Sequence, residues 1–173
     1  MVRLFSLLIC LLPLVADARG IYQQPEDFIN EVFNGAAPKA KKIWITKSIR
    51  PIVSDILAHP PTQLRVRYWG QQHRTAWVLN EIGKEKPITL GIVINNNKIE
   101  RVKVLIFRES RGWEVRHSFF TDQFSELGIK KDTRLDKSID GISGATLSVR
   151  AIKKLSRLAL YLHQQTEFAN DAP

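Results

Sequence analysis

Apolar and polar positions alternate in two different rhythms along this chain, and the change of rhythm divides it. Near the start, Phe28, Ile29, Val32 and Phe33 recur at helical spacing behind Pro25, with Glu26 and Asp27 in the first turn, which predicts a short helix over 25–33 stopped by Gly35. Residues 42–46 suit a strand. Ile49, Ile52, Val53, Ile56 and Leu57 return to the helical period over 48–58, and His59-Pro60-Pro61 closes that element. The period then drops to two. Residues 64–69 and 75–79 alternate, and 88–94 and 99–107 are β-rich runs joined by Asn95-Asn96-Asn97-Lys98. Asparagine accepts positive φ readily, so the last pair reads as an antiparallel hairpin.

A polar stretch follows, with a short helix expected over 119–127 and ended by Gly128. The longest helical pattern runs from residue 143 to 165. Val149, Ile152, Leu155, Ala159 and Leu162 make its apolar stripe, Ala151, Leu158 and Tyr161 widen it, and Lys153, Lys154 and Arg157 take the opposite side. Strands in succession flanked by helices predict an α+β fold with an antiparallel meander and a long C-terminal helix. Without repeat or linker, residues 19–173 read as one domain.

The first eighteen residues fall outside that pattern. Arg3 precedes an almost unbroken apolar run from Leu4 to Val15, and Ala16-Asp17-Ala18 has the small-x-small form of a signal peptidase site. The run is too short to span a bilayer and no second one follows, so the expectation is a cleaved signal peptide over 1–18, a periplasmic protein and no membrane span in the mature form. The one cysteine, Cys10, lies in this segment. The remaining chain therefore has no disulfide, thiolate nucleophile, cysteine-bound zinc or iron–sulfur cluster.

Among 173 residues the net charge is +9, and removing residues 1–18 takes one cation, Arg3, and one anion, Asp17, leaving it unchanged. Such a balance attracts anionic partners. Nucleic acid is not expected, because the basic residues are scattered and the chain reads as exported. His59, His73, His117 and His163 lack metal-ligand spacing, so no metal is expected. No GxSxG, HExxH or GxxxxGK motif occurs, and no catalytic residue is assigned. Each of Trp44, Trp69, Trp77 and Trp113 reads first as core or rim packing.

The remaining anomaly is Asp140-Gly-Ile-Ser-Gly-Ala-Thr-Leu-Ser148, at the start of the long helix. Ser143 suits an N-cap, its oxygen accepting an amide of the first turn. Gly144 and Ala145 would let an anion approach the free amides there. A cap does not explain Thr146, a β-branched hydroxyl residue in a helix that otherwise uses good formers.

Ser143-Gly144-Ala145-Thr146, with Asp140 before it and Ser148 after, resembles the flavinylation motif of the FMN-binding domain family, which includes the flavin-carrying subunits of sodium-translocating NADH:quinone reductase and of Rnf-type complexes. The resemblance implies FMN joined through its phosphate to Thr146 by an exported flavin transferase (a phosphothreonyl-FMN), with Ser148 a weaker attachment candidate. It also implies that Glu109-Ser110-Arg111-Gly112-Trp113 borders the flavin, although Ser-Arg replaces the Thr-Pro of many members. The hairpin of residues 91–105 and Phe124 are similar to family features as well. The function so implied is an exported electron carrier rather than a stand-alone enzyme, working between redox partners such as acidic cytochromes or a membrane reductase. A flavin-dependent reductase of a small substrate, or a non-redox binding module, would be the alternatives.

Overall fold

In the computed structural model, residues 20–169 are described; the expected signal segment over 1–18 and Cys10 lie outside them. Five strands form one antiparallel meander in chain order: β1 (Lys41–Trp44), β2 (Arg65–Gln71), β3 (Arg74–Ile82), β4 (Pro87–Asn95) and β5 (Lys98–Phe107). The expected α+β class and antiparallel sheet are what the chain adopts. β4 and β5 are joined by Asn96 and Asn97, with φ of 50° and 63°, the left-handed pair that lets a two-residue turn follow the twist of the strands. Gln72, at φ 54°, turns β2 into β3.

Helices cover both faces. α1 (Pro25–Val32) lies on one, its Phe28, Ile29 and Val32 packed with Phe33 against Ala76, Val93 and Leu105. The Phe28 ring rests on Gly91, where an added Cβ would come within 2.5 Å of its Cζ, so a small residue is needed at that strand position. The opposite face holds the main core. There α2 (Arg50–Leu57) and the last helix, α4 (Thr146–His163), pack against Trp77, Leu79, Leu90, Ile92 and Val104. All five residues of the expected α4 stripe are buried.

Two helix expectations need correction. The helix expected over 119–127 is only one α-turn, α3 (Ser118–Thr121), followed by a 3₁₀ turn at Asp122–Phe124. Beyond it Glu126 is left-handed, at φ 61°, and its amide donates to the carbonyl of Ile99 while the Ile99 amide donates to the carbonyl of Leu127. Pairing with the start of β5 thus takes the backbone groups a longer helix would have used. The second correction is at α4, which begins at Thr146 rather than Ser143 and ends at His163 rather than Gln165.

Candidate functional site

The turn that leads into α4 explains its late start. The Ala145 amide donates to the carbonyl of Ile142 at 3.0 Å, and Gly144 between them has φ 80°. This is the pattern of a type II turn, which needs positive φ at its third residue and hence a glycine. Ser143 is therefore inside a turn and does not cap the helix. The N-cap is Ala145, which has no side chain to serve, and no side-chain cap hydrogen bond is made. A serine followed by small residues looks the same in sequence in both settings.

The consequence is an open helix start. Among the described residues the amides of Thr146, Leu147 and Ser148 donate to no acceptor; the ladder begins with Val149, whose amide reaches the Ala145 carbonyl at 2.9 Å. Thr146 is exposed and its hydroxyl is unpaired, as is that of exposed Ser143. A Cβ added at Gly144 would meet nothing within 4 Å, so the approach to these amides is clear. No acidic residue occupies the first turn, leaving the positive end of the helix dipole uncompensated. Asp140 is exposed on the approaching strand of chain, where its amide donates to Gln123 Oε1 at 2.8 Å.

The loop after β5 meets this helix start. Gly112, buried with φ 84°, lies so close that an added Cβ would be 2.9 Å from Ser148 Oγ and 3.3 Å from Ala145 Cβ. Two segments more than thirty residues apart in sequence are thereby joined, and Ser148 is buried beneath the loop while Thr146 faces out. Glu109 anchors the loop from its other side. Its Oε1 accepts the amides of Lys84, Glu85 and Lys86 at 2.6, 2.7 and 2.9 Å, tying the loop to the β3–β4 turn. Burial pushes its carboxyl up, but the three amides outweigh this and hold the pKa below the usual glutamate range. Ser110 and Arg111 are exposed at the loop tip.

Trp113 leaves the loop 44% exposed, beside an open cavity of about 570 Å³ lined by Tyr22, Lys86, Arg108, Glu109 and Ser110. The Arg116 guanidinium lies 4.5 Å from the Tyr22 ring centroid and 5.1 Å from that of Trp113, and His117 bridges Trp113 to the exposed Phe119 at centroid separations of 5.4 and 6.1 Å. The sequence reading missed Tyr22, Arg116, His117 and Phe119. Their one legible signal was an exposed-looking aromatic in a polar stretch. Phe124, by contrast, is fully buried edge-on to Phe120 and belongs to the core.

Free amides, an exposed hydroxyl and an adjacent aromatic shelf with a guanidinium define a site suited to a ligand that is anionic at one end and flat at the other. Residues 83–161 match the family model described as FMN-binding domain, a match that supports a flavin-binding role with FMN as the cofactor. No curated protein and no solved structure matches the chain. The residues present fit FMN: the amides of 146–148 can take its phosphate, and the shelf offers a surface for its ring.

Proposed function

We propose that the chain is an exported electron carrier that holds FMN covalently, through a phosphoester between the flavin phosphate and Thr146 Oγ1. The observation that carries this reading is the pairing of an exposed, unpartnered Thr146 hydroxyl with three first-turn amides that donate to nothing. A flavin transferase would form the bond, so Thr146 needs no general base of its own. The bound flavin supplies the redox chemistry. The chain's own contribution is positional. Amides 146–148 neutralise the phosphate charge, Gly112 and Glu109 fix the loop against the helix start, and Ser110, Arg111 and Trp113 lie along the way to the ring. Covalent attachment suits a periplasmic carrier, because a dissociable cofactor would be lost outside the cytoplasm.

The net charge of +9 favours acidic redox partners, such as cytochromes or a membrane reductase, reached by electrostatic steering. The deciding measurement is mass spectrometry of the protein made alongside a flavin transferase. The peptide holding Thr146 is expected to carry the mass of FMN less water. An unmodified Thr146 under those conditions rules the reading out.

A further inference from the structure

β2 and β3 are zipped only at their hairpin end. Their pairing runs from Tyr68↔Trp77 to Gln71↔Arg74 and stops, although β2 remains paired to β1 through Arg65 and β3 remains paired to β4 through Ile82. Residues 65–67 and 78–82 thus face each other across a gap with unpaired backbone edges. The gap opens into a cavity of about 660 Å³, within the size range of small-molecule pockets. Its floor is apolar and belongs to the main core: Ile45, Val53, Leu57, Leu79, Leu155 and Leu158 line it.

The mouth is cationic. Trp69 packs with the α1 face, so alternation places Arg65 and Arg67 on that face too, and Lys42, directly opposite Arg67 in register, joins them. All three are exposed and line the cavity. Among the described residues none of them forms an ion pair; Arg65 lies 5.8 Å from the Trp44 ring centroid. The one deep carboxylate, Glu81, is already engaged by His59 Nε2 at 3.1 Å and Lys154 Nζ at 3.3 Å. The cavity therefore combines an apolar interior with three exposed cations against one exposed lining carboxylate, Glu26, and so with an excess of positive charge.

We propose that this cavity is a second ligand site and takes an amphipathic anion, with an apolar chain among Leu57, Leu79 and Leu155 and a single carboxylate-like head at Arg65, Arg67 and Lys42. The site is distinct from the Thr146 end of α4. Leu155 lies nine residues further along the helix, about 14 Å at 1.5 Å per residue. Of the lining, only Pro87, Leu155 and Leu158 fall within the stretch that matches the FMN-binding domain; residues 25–82 build the rest.

Titration calorimetry of the full chain with decanoate and with 1-decanol tests this. Decanoate is expected to bind one per chain and at least about tenfold more tightly than decanol, a preference worth about 1.4 kcal/mol. The Arg65→Glu/Arg67→Glu double variant should lower decanoate affinity to that of decanol, and Val66→Phe, which fills the gap, should weaken both. Both arginines are exposed, so the double variant keeps the test informative even where Val66→Phe fails to fold. No decanoate binding, equal affinity for the two probes, or decanoate binding unchanged by the charge reversal overturns the proposal. Capture of an extended pentapeptide in place of decanoate also overturns it, in favour of strand addition. None of these readouts depends on flavin.

Discussion

The two ends of α4 treat their polar groups in opposite ways. At the N-terminal end three amides and the Thr146 hydroxyl have no partner among the described residues, and the preceding turn spends a glycine and an alanine where a capping side chain could stand. At the C-terminal end polar groups are enclosed and mostly bonded inside the protein, His163 Nε2 being an exception. Trp77 Nε1 donates to Thr75 Oγ1 at 2.8 Å, and the Thr75 hydroxyl and His163 Nδ1 share a hydrogen bond at 2.8 Å. Thr166 closes the helix by donating its hydroxyl to the His163 carbonyl at 2.7 Å. A buried polar group must find its bonds inside the protein, whereas a helix start at the surface can leave them for a ligand. The contrast separates what holds α4 in place from what α4 presents.

The sharpest break is to remove one side chain at each end. Thr146→Ala should abolish covalent flavin altogether, read as loss of the adduct mass, while shifting the denaturant midpoint by less than about 0.5 kcal/mol, because the residue is exposed and unpartnered. Trp77→Ala should do the reverse. Its indole is fully buried and stacked on Tyr68 at 5.0 Å, so about 3–5 kcal/mol of stability should go, with Thr146 still modified in the folded fraction.

Acid tests the closed end alone. His163 is fully enclosed, and burial, assisted by nearby His73, pulls its pKa down to about 4 from 6.5. Between those two values the unfolded chain binds a proton that the folded chain refuses, so stability is full above about pH 6.5 and declines as pH falls towards 4. The total loss approaches about 3 kcal/mol at most. Urea melts at pH 7.5, 6, 5 and 4 should show this decline, and His163→Gln should flatten the part of it that belongs to the imidazole.

Gly112→Val tests the junction that ties the loop to the open end. It adds atoms where Cβ alone is 2.9 Å from Ser148 Oγ, at a φ of 84° that a β-branched residue strongly resists. A loss of about 2–3 kcal/mol is expected, together with poor flavinylation, as the loop is forced off Ala145 and Ser148. Equal stability and full flavinylation would show that the contact positions nothing.

These comparisons also mark what was legible in the sequence. The α4 stripe and the asparagine hairpin were readable because period and turn chemistry are local. The SGAT segment was readable as lying at the start of the last helix, and the family match lies over it. Glu109 was expected to border the flavin; its engagement with three amides some 23–25 residues away was not legible, because it depends on where β3 turns into β4. The unzipping of β2 from β3 was equally invisible: each strand alternates properly on its own, and only their register shows that pairing ends at Tyr68 and Trp77. The overlong helix at 119–127 failed for the same reason, since Ile99, far away in sequence, claims its last backbone groups.

The smallest expected effect bears on the most specific error. Were Ser143 the N-cap of α4, Ser143→Ala would cost about 1 kcal/mol, the usual penalty for losing a hydroxyl that holds a first-turn amide. In the type II turn that hydroxyl is exposed and holds nothing, while Gly144 carries the conformational demand. Ser143→Ala should therefore change stability by less than about 0.3 kcal/mol, within the ordinary range for a surface substitution. Gly144→Ala should cost about 1 kcal/mol or more, because only the glycine accepts φ 80° without strain. Paired chemical melts of the two variants distinguish the cases: a serine that costs more than its neighbouring glycine would restore the cap and close the helix start to a ligand.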